Sequence, residues 1–253
     1  LKELNYLKNL VNFVKESKKN QNNWLRKFLK VYMINFSKFW GTTNLINLAL
    51  IPLSHIYNFF YLTYKILKKE KKLSIPVICI GNLTLGGAGK TPVTIKLRQM
   101  ISKKFNNIFV LTRGYGGKLK GPKIVMENSK YIDVGDESIV HCTYGKTCVS
   151  KNKVLGAELC VFNRAKIILM DDGLQSIDIK KKLRIVVIDG QYEFGNNLLF
   201  PAGPLRQSIF SSYFNTDIAI IIGDFREEFV NSLRYKNIFF ATKKINLKCK
   251  NKN

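Results

Sequence analysis

The sequence predicts an α/β fold, a mostly parallel sheet with helices on both faces. Three observations carry that expectation. Short apolar, β-branched runs at 76–80, 108–111, 167–170, 185–188 and 218–222 alternate with helical stretches, the pattern of strands buried on both faces. A glycine-rich turn follows the first run and opens a helical stretch, and paired carboxylates close the third. Turns and carboxylates of this kind gather at the carboxyl ends of parallel strands.

In chain order, residues 1–38 are expected to form a basic extension. Leu4, Leu7, Val11 and Val14, then Trp24, Leu25, Phe28 and Tyr32, recur at helical spacing. The chain opens on Leu1 and has an internal Met33, so an appended arm and a start at Met33 are both open for the upstream residues. Residues 39–72 are expected to be a membrane-associated helix. No charged residue occurs from Phe39 to Tyr64, and the length permits a span, but Asn44, Asn47, Pro52, Ser54, His55 and Asn58 interrupt it. The expectation is therefore a broken helix lying in a membrane interface, Trp and Tyr included, with the basic flank 65–72 against an anionic leaflet. An ordinary core helix is the alternative. The start has no signal-peptide pattern. Residues 73–211 are expected to form the catalytic core, and 212–253 a partial C-terminal subdomain whose Lys/Asn-rich tail lacks a clear final element.

The 253 residues carry 42 Lys+Arg against 17 Asp+Glu, a net charge of +25, and 46% are hydrophobic. That apolar content excludes a wholly disordered chain. Only eight of the basic residues are Arg. A Lys-dressed solvated surface thus competes with attraction to a polyanion: nucleic acid, an anionic membrane or a phosphorylated substrate. Five cysteines (Cys79, Cys142, Cys148, Cys160, Cys249) without a C-x-x-C pair, and two histidines (His55, His141), suit neither a zinc site nor a disulfide framework. Reduced, mostly buried thiols of a cytosolic compartment are expected.

The chemistry concentrates in a few segments. Ile80-Gly81-Asn82-Leu83-Thr84-Leu85-Gly86-Gly87-Ala88-Gly89-Lys90-Thr91-Pro92 lies between a predicted strand and a helix, the setting of a P-loop, which makes the expected fold P-loop NTPase-like. Thr84, Leu85, Gly86, Gly87, Ala88, Gly89, Lys90 and Thr91 are the candidate nucleotide-binding residues. Glycines let backbone N–H groups face phosphate oxygens, Lys90 supplies a point charge, and the Thr91 hydroxyl suits Mg²⁺. Thr84 stands where the usual pattern has its first Gly. Gly145-Lys146-Thr147 lacks the preceding strand and glycines. Asp171 and Asp172, ending a predicted strand, suit Mg²⁺ binding beside the phosphate loop, or a plain turn. Asp136 and Glu137 offer a carboxylate base for a phosphoryl acceptor, or a helix cap. Arg113, between a strand and glycines, suits a phosphate or a flexible turn. The Gly/Pro-rich stretch through Phe194-Gly195-Asn196 to Pro201-Ala202-Gly203-Pro204-Leu205-Arg206 suits a shaped loop around a sugar or phosphate, or a connector.

Taken in order, these segments resemble the tetraacyldisaccharide 4'-kinase (lipid A 4'-kinase) family. The resemblance covers residues 39 to 222 and rests on Phe39-Trp40, Ile51-Pro52-Leu53-Ser54-His55-Ile56-Tyr57, the run from Pro76 through the phosphate loop, Arg113-Gly114-Tyr115-Gly116-Gly117, Gly135-Asp136-Glu137, Asp171-Asp172-Gly173-Leu174-Gln175 and Pro201 to Arg206. Thr84 in place of Gly is usual there. The resemblance implies ATP-dependent phosphorylation of the 4'-hydroxyl of tetraacyldisaccharide 1-phosphate, giving lipid IVA at the cytoplasmic face of the inner membrane, with ATP and Mg²⁺ as cofactors. It further implies Lys90 and Thr91 on the nucleotide phosphates and Mg²⁺, Asp171 and Asp172 completing the metal site, Asp136 as general base with a metal-linked Glu137 beside it, and Arg113 and Asn196 holding the disaccharide. This chain has Ser176 where the family commonly has His, and Gln207 where Glu is usual. Family members also continue through a larger second domain carrying a further His, and no His follows His141 here. A partner's contribution, a fragment and reduced activity all fit that difference.

Two other classes compete. The phosphate loop resembles that of ParA/MinD-like switch ATPases, but Leu85 stands where those proteins place a second Lys. The charge would suit a nucleic-acid-binding ATPase, yet no RNP, helix-turn-helix or zinc pattern is present and the aromatic residues gather in the apolar segment. No specific nucleic-acid partner is expected.

Overall fold

A computed structural model describes residues 39–243. The expected extension 1–38 and residues 244–253, Cys249 among them, lie outside the described residues. The elements are α1 (Leu45–Leu67), β1 (Val77–Gly81), α2 (Lys90–Ile101), β2 (Ile108–Thr112), β3 (Lys123–Val125), α3 (Tyr131–Val134), α4 (Asp136–Thr143), β4 (Thr147–Val149), α5 (Lys153–Phe162), β5 (Ile167–Asp171), β6 (Leu183–Asp189), α6 (Ile209–Asn215), β7 (Ile218–Ile222), α7 (Glu227–Ser232) and β8 (Ile238–Ala241). They build an eight-stranded sheet of order β3-β4-β2-β5-β1-β6-β7-β8. Every pairing is parallel except β3 with β4. The five expected strands are all present, and β7 and β8 continue the same sheet beyond residue 212.

The continuous apolar runs exist because both faces of the sheet are covered. Along β1, β2, β5 and β6 alternate residues enter two cores: Cys79, Phe109, Leu111, Ile168, Met170, Val186 and Ile188 pack on the α5 side with Ala157 and Cys160. Ile80, Val110, Leu169, Ile185 and Val187 pack on the other side against Val93, Leu97 and Ile101 of α2. Strand periodicity divides each run between the two layers. The four described cysteines are free thiols.

Outside the sheet, α1 corrects the expectation of a broken helix. Its 23 residues are continuous through Pro52, about 35 Å at 1.5 Å per residue. One interior Pro removes one backbone hydrogen bond, while polar residues on either side of it dock on the same loop. Asn47 Nδ2 donates to the Ala202 carbonyl at 2.9 Å, and Ser54 Oγ donates to the Leu199 carbonyl at 2.9 Å and accepts from Ala202 N–H at 3.1 Å. Tyr57 and Tyr61 donate their hydroxyls to the Arg206 carbonyl and Gln207 Oε1. The interruptions Asn47 and Ser54, with Tyr57 and Tyr61, thus form one stripe turned toward the protein. Leu45, Leu53, Phe59, Phe60 and Ile66 are exposed, the reverse of an ordinary surface helix. Trp40, expected with Tyr57 and Tyr61 in the interface, is buried and donates Nε1–H to the Pro201 carbonyl at 3.1 Å.

Candidate active site

At the carboxyl end of β1 the chain turns through residues 82–89 into α2. Gly89, at φ +79°, forms the N-cap, a left-handed conformation that glycine adopts without steric cost. Buried Asn82 organises the turn: its Nδ2 donates to the Thr84 carbonyl at 2.7 Å and the Gly86 carbonyl at 3.3 Å, and its Oδ1 accepts from Lys90 Nζ at 3.1 Å. Gly86 and Gly87 are exposed at the rim, with open space where a Cβ would stand. Thr91 sits at the second helical position, so the first-turn N–H groups of α2 and the Thr91 hydroxyl share the turn with the Lys90 ammonium.

The loop 198–206 holds this turn from below. Leu85 N–H donates to the Pro204 carbonyl and Arg206 N–H to the Leu83 carbonyl, both at 2.8 Å. Arg206 Nη1 reaches Asp172 Oδ1 and Oδ2 at 3.0 and 3.1 Å, and Lys90 Nζ lies 3.8 Å from Asp172 Oδ1. Burial pushes the Asp172 carboxyl up, and the Lys90 and Arg206 charges more than offset it, holding it below its ordinary value. Gln175 ties the same segment to the phosphate turn, its Nε2 donating to the Asn82 carbonyl at 2.9 Å. Asp171, in register with Ile80 of β1, is buried, with Oδ1 lacking a hydrogen-bond partner.

On the other side, the loop after β2 packs backbone to backbone on the start of α4. A Cβ on Gly135 (φ +83°) would stand 2.4 Å from the Tyr115 carbonyl oxygen. This approach brings the Arg113 loop beside Asp136 and Glu137, both exposed in the first turn of α4. Partial desolvation of its carboxyl, then the Asp171 charge, raises Glu137 above its ordinary value against the opposing pull of Lys90. Arg113 is exposed. Asn196, by contrast, spends its amide within its own loop, donating to the Ala202 carbonyl at 3.0 Å and accepting from Leu198 N–H at 3.2 Å.

Four contributors carried no sequence assignment. Asn82 and Arg206 lie inside quoted motifs without a signal of their own. His141 lies one helical turn beyond Glu137, a spacing that places both on one face of α4. Lys153, the first residue of α5, reads as a surface Lys, yet it is buried with an unpartnered ammonium. Burial drives its pKa down to about 8 against the pull of Cys79, Asp171 and Asp172.

The family model for tetraacyldisaccharide-1-P 4'-kinase (LpxK) matches residues 46–252. The chain belongs to that family. It is 36% identical over 187 residues to the tetraacyldisaccharide 4'-kinase of Rhodopseudomonas palustris BisA53, covering 74% of this chain and 55% of that protein. Its counterpart in Paramagnetospirillum magneticum is 39% identical over 187 residues, with 73% and 57% covered. That of Rickettsia canadensis is 34% identical over 200 residues, with 78% and 61% covered. Among solved structures, the "apo" form of LpxK from Aquifex aeolicus in complex with ATP superimposes with a TM-score of 0.63 at 27% identity, over 70% of this chain and 59% of that one. The chain spans about half the length of the curated relatives it matches.

Proposed function

We propose that this chain transfers the γ-phosphoryl group of ATP to the 4'-hydroxyl of tetraacyldisaccharide 1-phosphate, the lipid A precursor, at the cytoplasmic face of the inner membrane. One observation carries the reading: the loop 198–207 docks the apolar helix α1 on one side and, on the other, holds the phosphate turn and the carboxylate of Asp172. An acylated acceptor on the α1 side therefore meets a phosphate-binding site joined to the same loop.

In this reading the turn of residues 84–89 and the Lys90 ammonium bind the nucleotide phosphates through the amides of 86–89, because Leu85 N–H is already committed to the Pro204 carbonyl. Mg²⁺ fits the donor set: Asp171 offers a buried carboxylate oxygen without a partner, and Thr91 a hydroxyl. Among the described residues no group of three or more His, Cys, Asp or Glu holds a metal by itself, as expected for an ion that one or two carboxylates share with substrate phosphates. When bound, Mg²⁺ neutralises charge that develops on the transferring phosphoryl oxygens. Asp136 accepts the proton of the 4'-hydroxyl as its oxygen bonds to the γ-phosphorus and the bond to the β-phosphate oxygen breaks, releasing ADP. Lys90 stabilises the departing charge, Glu137 supports the metal side, and Arg113 and Asn196 border the acceptor. The unpartnered Lys153 ammonium adds positive charge in a region of low dielectric, where it attracts an anion more strongly than in water. Leu45, Leu53, Phe59, Phe60 and Ile66 enter the bilayer interface, with Lys65, Lys69 and Lys72 on anionic headgroups, while Lys68 and Lys71 pair with Asp178 and Glu158 of the protein.

The test is incubation of the full chain with γ-³²P-ATP, Mg²⁺ and tetraacyldisaccharide 1-phosphate in detergent micelles. Labelled lipid is expected, lost with Lys90→Ala and cut about 10²–10⁴-fold with Asp136→Ala. Label recovered only as inorganic phosphate contradicts the assignment.

A further inference from the structure

The two carboxylates that end β5 are held in different ways. Asp172 sits between Lys90 and Arg206. Asp171 has one hydrogen-bonding partner among the described residues: His141, whose Nε2 lies 2.7 Å from Oδ2, with side-chain exposures of 0% and 5%. An ionised carboxylate only accepts, so Nε2 carries the hydrogen and donates it. Nδ1 is buried without a hydrogen-bond partner.

Several contacts fix where the imidazole stands. His141 and Glu137 share a face of α4. Ser138 of the same helix is hydrogen-bonded to Thr112 of β2 at 2.8 Å, and buried Arg98 of α2 donates to the His141 carbonyl at 3.4 Å. The imidazole therefore approaches Asp171 from a helix that is anchored independently of it. A buried polar pair of this kind adds little stability over an apolar pair of the same shape. Its effect here is on orientation, because Oδ2 is engaged, rotation of the carboxylate is arrested, and Oδ1 is the one oxygen left free.

We infer that His141 is a positioning residue: it locks Asp171 so that Oδ1 is presented to the divalent cation that accompanies the nucleotide, the role of an outer-shell partner that orients a metal-binding carboxylate. The inference rests on the kinase reading, in which Asp171 serves the metal, and adds the residue that aims it. Relaxing such a partner typically costs about 10–100-fold in metal affinity.

The experiment measures the affinity of the full chain for a fluorescent ribose-modified ATP, once in EDTA and once in saturating Mg²⁺, and takes the ratio of the two dissociation constants. His141→Leu removes the donor. His141→Gln restores an N–H near the Nε2 position, and Asp171→Asn marks complete loss of the carboxylate. The wild-type ratio is expected to exceed tenfold. His141→Leu and Asp171→Asn are expected to bring it near one with the EDTA affinity unchanged, and His141→Gln to recover most of it. A purely structural role would shift the EDTA affinity or the melting temperature and leave the ratio intact. A His141→Leu ratio equal to wild type, or equal loss in His141→Leu and His141→Gln, overturns the inference and leaves the kinase reading standing. A wild-type ratio near one removes the metal role of Asp171 and the inference with it. Should His141→Leu fail to fold, His141→Gln still decides: a ratio as low as that of Asp171→Asn overturns the inference, and a retained ratio supports it.

Discussion

Lys153→Met is expected to make the nucleotide-free protein more stable. The Lys153 ammonium is buried without a hydrogen-bond partner, and burial lowers its pKa from 10.5 to about 8. At about 1.4 kcal/mol per pH unit, that displacement costs the fold roughly 3 kcal/mol at neutral pH. Methionine fills much of the same space without the charge, so most of this cost is expected back as added stability. The pH dependence gives the prediction its signature. Between about 8 and 10.5 the unfolded chain binds the proton that the folded chain has released, so the wild type gains stability as pH rises through that window. The advantage of Lys153→Met is therefore complete at pH 7 and closes toward pH 10.5. Urea denaturation followed by circular dichroism at pH 7 and pH 10 measures both. A variant no more stable than wild type at pH 7, or an advantage that does not change with pH, refutes the reasoning.

Two further predictions concern placement. Gly135→Ala forces a side chain into a backbone conformation reserved for glycine, at a cost on the order of 1–3 kcal/mol, and sets its Cβ 2.4 Å from the Tyr115 carbonyl oxygen. A lowered urea midpoint is expected, together with phosphotransfer reduced more than ATP binding, because the Asp136 end of α4 shifts while the phosphate turn stays. Phe59 and Phe60 are 66% and 65% exposed on α1. Replacing both by Ser removes roughly 3 kcal/mol of apolar burial in a bilayer, and co-sedimentation with anionic vesicles is expected to fall about a hundredfold in partition coefficient with the melting temperature nearly unchanged.

Strands β1, β2, β5, β6 and β7 were legible because two-sided burial writes itself as unbroken apolar runs. β3 and β4 are three residues each and β8 four, too short for a periodic signal, and their pairing is decided by neighbours. Of the stripe through Asn47, Ser54, Tyr57 and Tyr61, the first two were visible only as interruptions of an apolar segment, and the tyrosines read as part of that segment. Whether such residues break a helix or face inward depends on the carbonyls waiting for them, and those belong to residues about 150 positions further along.

The same distinction runs through the site. Phosphate turns and carboxylate pairs announce themselves because their chemistry needs particular residue types at fixed local spacing. Contacts between distant segments leave no such trace. Arg206 on Asp172, His141 on Asp171 and the burial of Lys153 follow from which strand ends meet at the top of the sheet. Asn82 is intermediate: it stands inside the motif, but its hold on Lys90 and on two carbonyls of the turn appears only once the turn is folded.

A crystal structure of the full chain with Mg²⁺ and a non-hydrolysable ATP analogue tests most directly whether one loop system builds one magnesium–nucleotide site. The β- and γ-phosphates are expected inside the turn of residues 84–89, with the Lys90 ammonium about 3 Å from a phosphate oxygen and the ion reached by Thr91 and Asp171. A nucleotide seated elsewhere on the sheet, or an ion held away from both Asp171 and Asp172, would contradict the account.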